Sequence, residues 1–430
     1  VPAAAPIPAF DVLLIAPNVS EQMGGEGIKA LQIYRELANQ GVRVHQITHI
    51  RVKPELDRNY PDMHVTYIED TLTEKLLYRA KLFEQLLNFI FLRSATRLAE
   101  QLLRSNPDAQ QHEAIVHFTS PVSPILPYPV LRGARTIIGP NNGNIHYPPA
   151  FYHREGIAYK IRRWMHPPMQ WLHKLGPSGK RRASAILVAG GQRTYESLRL
   201  AGCRDAQFVD SIDSGVVTRL AEAPRILHSG ENLRFFHNGR LVAHKGTDLV
   251  IKALARTRLP VRLDIIGRGP QLPMLRALTK ELHLEERVTF TEWVADHSEL
   301  TRMMREYRAF VFPSLAEANG IVVQEAMMQG LPVVALNWGG PALLVTSLPS
   351  NDATGVLIEP SSEEHVIAEL AAAMDLLATN GELAEQMSLH ARAAAMSRGF
   401  LWADIIADWR KLYARLKSTS STDITTVHDA

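Results

Sequence analysis

The stretch from Phe310 to Gly340 reads FVFPSLAEANGIVVQEAMMQGLPVVALNWGG. The apolar runs Ala309 to Ser314 and Pro332 to Leu336 have the look of buried parallel strands. A polar loop and a helix opening near Asn319 join them. Two acids frame the helix entrance, Glu317 on the loop and Glu325 eight positions on, inside the helix. Gly320 stands where a side chain would block approach to the first free backbone N–H groups, those of Ile321 and Val322. Such donors, together with the positive end of the helix dipole, make an anion site.

An anion held between carboxylates fits a ligand that is phosphate at its centre and hydroxyl-rich at both flanks, the build of a nucleotide sugar. The alternative is a plain strand–loop–helix whose acids favour the helix start and sit on a wet face. The pattern extends further. Ser314, Glu317, Gly320, Glu325, Ala326, Gly330, Pro332 and the pair Gly339-Gly340 resemble, in order, the E-x7-E signature of retaining GT-B glycosyltransferases of the family 4 type.

With 430 residues the chain has room for two domains, each with its own core. Its 46% hydrophobic and 21% charged residues are ordinary for a globular protein. A net charge of +3, from 47 basic and 44 acidic residues, is too balanced to indicate nucleic acid as a partner. Cys203 is the single cysteine, which excludes an internal disulfide and fits a reducing compartment. No apolar run reaches the roughly 18 residues that span a bilayer. The opening VPAAAPIPAF lacks the basic start and apolar core of a signal peptide, so cytoplasmic residence is expected.

Along the chain, Asp11 to Ala16 is a first strand, and a loop from Asn18 to Gly27 carries Gly24-Gly25. A helix follows from about Ile28 to Gln40, then a strand from Val42 to Ile47. This βαβ opening is Rossmann-like but lacks a full G-x-G-x-x-G, and the glycine pair alone equally fits a tight turn. Strands are expected at Val65 to Glu69, Ala114 to Phe118, Thr136 to Pro140, Ala185 to Ala189 and Phe208 to Ile212. A polar stretch from Pro224 to Asn232 reads as a linker. A second alternating set has strands at Arg234 to Asn238, Arg262 to Gly267, Val288 to Val294, Ala309 to Ser314, Pro332 to Leu336 and Gly355 to Ile358. The expectation is an α/β protein: a Rossmann-like doubly wound domain over 1–223, a second over 224–399, a helix over 400–417 and a disordered tail over 418–430. Ligands of such sheets lie at the carboxyl ends of the strands, so an interdomain cleft is expected to hold the site. The final helix places Ile405, Trp409, Leu412 and Leu416 on one face. The resemblance implies the GT-B fold, with this helix crossing back to the first domain.

Gly239 to Gly246, GRLVAHKG, follows a strand end and opens a helix. Arg240 and Lys245 can converge on one pyrophosphate, as a fork and as a point charge; solvated loop cations are the alternative. The segment resembles the G-R-L-x-x-x-K-G element of the same transferases, which implies that both cations hold the leaving diphosphate. No D-x-D sequence for a metal-held diphosphate and no His/Cys cluster for zinc are present, so no metal and no cofactor is expected.

Further roles rest on the resemblance. It implies Glu325 at the donor ribose, Glu317 at the sugar hydroxyls, and Gly24 and Gly25 near the donor phosphate and acceptor. It also implies the Gly267-Arg268-Gly269 turn and Trp293-Val294 as walls around the base; a plain βα turn fits Arg268 equally. Two departures stand out. Leu343 occurs where a glutamate usually follows the glycine pair, and Asn141-Asn142-Gly143-Asn144, with His146 slightly later, occupies the usual place of a histidine. Asn142 is then expected to hold the acceptor hydroxyl, with His146 as the fallback base.

The greasy helix LLNFIFL (Leu86 to Leu92), flanked by Lys75, Arg79, Lys81, Arg93 and Arg97, and the segment Tyr159 to Arg182 interleave apolar groups with cations. Both suit a peripheral contact of the first domain with the inner face of a membrane; core helices with basic outer faces are the alternative. The expected activity is transfer of a sugar from a nucleoside-diphosphate sugar to a saccharide or lipid-linked acceptor, in bacterial polysaccharide or glycolipid assembly. The rival readings are a nucleotide-sugar epimerase and a non-catalytic binding subunit.

Overall fold

The structure is a computed structural model. It describes residues 8–23, 25–71, 84–106, 113–176, 178–228, 232–292, 294 and 297–418. Gly24, Trp293, Lys75, Arg79, Lys81 and the tail from 419 onward lie outside the described residues. The chain separates into two compact units, one of residues 1–144, 165–213 and 402–430, the other of 145–164 and 214–401.

The first unit is built on β1 (Val12–Ile15), β2 (Val44–His49), β3 (Val65–Ile68), β4 (Ile115–Phe118), β5 (Arg135–Asn141), β6 (Ala185–Val188) and β7 (Phe208–Asp210). Among the described residues they form one parallel sheet in the order β3-β2-β1-β4-β5-β6-β7. Every residue of β1, β2, β4 and β6 is buried, which explains why β1, β4 and β6 are near-continuous apolar runs, whereas β2 (VHQITH) buries polar side chains as well.

Helix α1 (Gly25–Asn39) begins three residues before the expected Ile28, so Gly25 opens the helix and does not sit in a loop. Helix α2 (Glu84–Ser105) carries LLNFIFL, of which Leu86 is exposed and Leu87, Phe89 and Ile90 are half-buried. Phe91 and Leu92 are fully buried and pack with Ala95, Ala99 and Phe118 in the sheet's core. Helix α3 (Ile157–Leu172) runs across the division between the units, and α4 (Gln192–Leu200) follows β6.

The second unit has β8 (Arg234–Asn238), α5 (Thr247–Leu254), β9 (Arg262–Ile266), β10 (Val288–Thr291), β11 (Ala309–Phe312), α6 (Ile321–Met328), β12 (Val333–Leu336) and β13 (Gly355–Ile358). Its parallel sheet runs β10-β9-β8-β11-β12-β13 among the described residues. The order turns back beside β8, which sits between β9 and β11. This is the switch point where open α/β sheets bind ligands. Helix α7 (Trp402–Ser418) packs Ile405, Trp409 and Leu412 against Val12, Leu14 and Ile115 in the first unit's core. His117 fixes it further, its Nδ1 lying 2.8 Å from the Tyr413 hydroxyl.

Candidate functional site

The loops leaving β8 and β11 are tied to each other. The His244 carbonyl oxygen accepts the Leu315 N–H at 2.7 Å and the Ser314 hydroxyl at 3.1 Å. Gly246 turns through φ +68°, and a Cβ there would run into the Pro313 carbonyl. This seam sets Lys245 over the Phe312 ring, 5.0 Å from its centroid, with its ammonium paired to Glu317 Oε2. The other carboxylate oxygen of Glu317 accepts the Gly320 N–H at 3.1 Å. Lys245 and Glu317 are 17% and 15% exposed, so the pair is shielded yet open on one side.

Gly320 caps α6 in a left-handed conformation, φ +82°. A Cβ there would meet its nearest atoms at ordinary contact distances, 3.5 to 3.7 Å. Backbone conformation therefore favours glycine here independently of any ligand that approaches the helix start. Ile321 and Val322 form the first turn, both half-buried. The glycine pair at the end of β12 clasps the same loop. Gly340 N–H donates to the Glu317 carbonyl at 2.8 Å, and Cβ atoms on Gly339 and Gly340 would run into the carbonyls of Glu317 and Asn319. Leu343, where the glutamate of the resembled pattern is missing, is exposed.

Arg240 is exposed on a loop held from the neighbouring strand end. Gly239 N–H donates to Ile266 O at 3.1 Å and Leu241 N–H to Arg268 O at 2.9 Å. Gly267 and Gly269 lie so close to the carbonyls of Gly239 and Leu241 that no side chain fits. The glycines of the GRGP turn thus serve close packing of two loops, and Arg268 contributes its carbonyl there. Its guanidinium is exposed, 3.7 Å from Glu292. Val294 is half-buried beyond β10. Glu325 is half-buried on α6; burial pushes its carboxyl up to about 7, against the pull of the Arg219 cation. His244 is pushed down to about 4 by burial and by the Lys245 cation.

In the first unit, Asn142 lies just beyond β5, and its Oδ1 accepts from Arg193 Nη2 on α4 at 2.7 Å. The Thr194 hydroxyl donates to Gly143 O at 3.3 Å. Asn142 belongs to the first unit and His146 to the second. Burial and Arg162 hold the His146 ring below its usual range, and its carbonyl accepts the Trp338 indole N–H at 2.7 Å. Gly25 has open space around the place of a Cβ.

The sequence reading missed Lys29. This lysine is buried on α1, 3.2 Å from Asp213 and 3.4 Å from Glu26, whose other oxygen accepts the Ser120 hydroxyl at 2.9 Å. Burial opposes the charge, but the two carboxylates outweigh it and hold the ammonium above its ordinary value. The signal was present: Lys29 shares a helical face with the buried Ile33 and Leu37, and a cation on an apolar face needs a buried partner. Among the described residues no group of three or more His, Cys, Asp or Glu is placed to hold a metal ion.

Two Rossmann-like parallel-sheet units define the fold as GT-B, the class of many glycosyltransferases. Residues 221–394 match the family model of glycosyl transferases group 1. An uncharacterized glycosyltransferase of Haemophilus influenzae is 32% identical over 183 residues, 42% of this chain and 48% of that protein. The D-inositol 3-phosphate glycosyltransferase of Corynebacterium glutamicum is 31% identical over 200 residues, 44% and 45% of the two chains. The chain thus spans about half the length of these curated relatives. Anabaena HepE, solved with UDP and glucose, superposes with a TM-score of 0.62 at 17% identity, covering 94% of this chain and all of HepE. WaaG, a glycosyltransferase involved in lipopolysaccharide biosynthesis, has a TM-score of 0.62 at 16% identity over 94% and 99% of the two chains.

Proposed function

We propose that this chain transfers a sugar from a nucleoside-diphosphate sugar to an acceptor hydroxyl, with retention at the anomeric carbon and without a metal. The observation that carries the reading is the Lys245–Glu317–Gly320 cluster, which joins the two motifs at the switch point of the second sheet. HepE, of the same fold, was solved with UDP and glucose.

In this reading the diphosphate lies against Lys245, Arg240 and the N–H groups of Ile321 and Val322. Glu317 accepts hydroxyls of the sugar, and Glu325 those of the ribose. Arg268 and Val294 border the base. As the glycosidic bond breaks, negative charge grows on the leaving phosphate, where fixed cations and backbone donors lower the barrier most. The acceptor attacks the face that the phosphate vacates, and a phosphate oxygen takes the hydroxyl proton. The acceptor is a saccharide or a lipid-linked sugar of polysaccharide or glycolipid assembly, bound by the first unit.

A thermal-shift panel of UDP, GDP, ADP and their sugars, each with and without chelator, tests the donor half. A ligand at about 100 times its Kd adds roughly 2.7 kcal/mol of stability. Silence across the panel removes the donor assignment, and a response lost with chelator removes the metal-free one. Proton NMR of the anomeric signal in the product tests retention.

A further inference from the structure

Residues 145–164 come from the first half of the sequence, yet they are built into the second unit. Tyr147 and Phe151 are buried in its core. Arg154 Nη2 donates to both carboxylate oxygens of Asp248, at 2.8 and 2.7 Å, in the first turn of α5. With two aromatic anchors inside and its arginine paired, the segment is fixed relative to the loops of the candidate site.

It touches those loops at two places. The Tyr159 hydroxyl lies 3.5 Å from Nδ1 of His244, the neighbour of Lys245, and the Tyr159 ring packs edge-on with Tyr147. At the other end the His146 carbonyl holds Trp338, and Ile145 Cδ1 stands 3.1 Å from the place of a Cβ on Gly339, in the turn that clasps Glu317. Arg162 joins the two contacts. Its Nη2 donates to the Ile145 carbonyl at 2.8 Å, and its guanidinium lies 4.9 Å over the centre of the Tyr159 ring. His146 and His244, lowered first by burial, are lowered further by the Arg162 charge, which therefore reaches both loops. The side chain is exposed, and a guanidinium fork has donors beyond the one given to Ile145.

The charge balance says what those donors meet. The diphosphate of a nucleotide sugar carries a negative charge on each phosphate, and a further one grows as the sugar leaves. Lys245 is already paired with Glu317, so Lys245 and Arg240 together supply less positive charge than the leaving diphosphate acquires. A planar guanidinium matches phosphate oxygens through paired N–H bonds. We propose that Arg162 is a further phosphate-binding cation of the donor site, supplied by the crossing segment and aimed at the diphosphate by Ile145 and Tyr159. The assignment rests on the nucleotide-sugar reading and adds to it a cation from outside both loop motifs.

The test is calorimetric titration of the full chain with UDP, GDP and ADP, each beside its monophosphate, at low and high salt. Arg162→Gln keeps a donor for the Ile145 carbonyl and removes the charge. It should weaken the diphosphate that wild type binds by about tenfold, leave the monophosphate within about twofold, and flatten the salt dependence. Arg162→Lys, which restores the charge, should recover most of the affinity and the salt dependence. A role confined to holding the segment would weaken both nucleotides equally and leave the salt dependence as it was. An unchanged thermal midpoint without ligand certifies that each variant is folded. Four outcomes overturn the proposal: folded Arg162→Gln that binds the diphosphate like wild type, equal weakening of diphosphate and monophosphate, Arg162→Lys no better than Arg162→Gln, or a wild type that binds none of the three diphosphates. Only the last also removes the nucleotide-sugar reading, so the two failures are told apart.

Discussion

Lys245 and Glu317, 72 positions apart, form an ion pair in which Nζ donates to Oε2 while Oε1 accepts the Gly320 N–H. The cation expected at the diphosphate and the acid expected at the sugar therefore restrain each other before any ligand arrives. The pair also fixes the entrance of α6.

The first prediction follows from that restraint. Glu317→Gln releases the Lys245 ammonium, so UDP or GDP should bind about threefold more tightly while turnover with a complete donor falls about tenfold or more. Lys245→Ala should weaken diphosphate binding by about tenfold. Calorimetric titration of the two variants and of the double variant measures the coupling. Equal weakening by both single substitutions would mean that the carboxylate itself holds the nucleotide.

The second concerns two glycines that look alike in the sequence. Gly320→Ala meets only the cost of a left-handed backbone, about 1 kcal/mol. Gly339→Ala has a similar φ of +67° and in addition drives a Cβ into the Glu317 carbonyl. The loop bearing Glu317 must move, so Gly339→Ala should lose clearly more activity and show the larger fall in Tm. Paired melting curves and initial rates decide this; equal activity losses would show that the clasp on Glu317 is not needed.

The sheets were legible because parallel strands buried on both faces are written as short apolar runs, and each expected strand lies within about three residues of its place. The loop motifs were legible as residue types, but their reasons were not. Gly267 and Gly269 serve the close approach of two loops, which depends on a neighbour some thirty positions away in the chain and leaves no local periodicity. LLNFIFL and α3 are equally greasy in sequence, yet Phe91 and Leu92 are buried in the core while Ile157 and Trp164 are exposed. Which side a strongly apolar helix buries is decided by the sheet it meets. The Lys29–Asp213 pair joins residues 184 apart, beyond the reach of spacing arguments.

The third prediction uses the Glu325 carboxyl, which burial pushes up to about 7 from an ordinary 4.5. The sign is that of an acid raised by folding. Below about pH 4.5 both states are protonated; as pH rises to 7 the unfolded chain ionises first, so stability falls across that window and the penalty is complete above it. Binding runs the other way, because an ionised carboxylate accepts both ribose hydroxyls. Affinity for an intact nucleotide sugar, whose own phosphates do not titrate there, should rise about tenfold between pH 6 and pH 8. Glu325→Gln should flatten that dependence and raise the Tm at pH 8. A slope that survives in Glu325→Gln would assign the titration to another group.

The last prediction concerns the loop after β5. Arg193 donates to Oδ1 of Asn142, and the amide nitrogen, buried as it stands, is the donor that would have to meet an acceptor. A donor of this kind can hold the acceptor hydroxyl by its oxygen and leave the hydroxyl proton pointing away, toward a leaving phosphate that can take it. Asn142 then positions the acceptor and moves no proton. Asn142→Ala should lower turnover by about tenfold, roughly 1.4 kcal/mol of barrier, with donor binding intact. Asn142→Asp, which keeps the contact with Arg193 but cannot donate, should be no better than alanine. Arg193→Ala frees the amide to turn and should fall between the two and wild type. His146, held below its usual range by burial and by Arg162, is the rival base. If it took the proton, the rate would climb as pH rises through that lowered pKa, and His146→Gln would remove both the step and most of the activity. Loss of transfer in His146→Gln at unchanged donor affinity, with Asn142→Ala near wild type, would overturn the positioning role and make the imidazole the base.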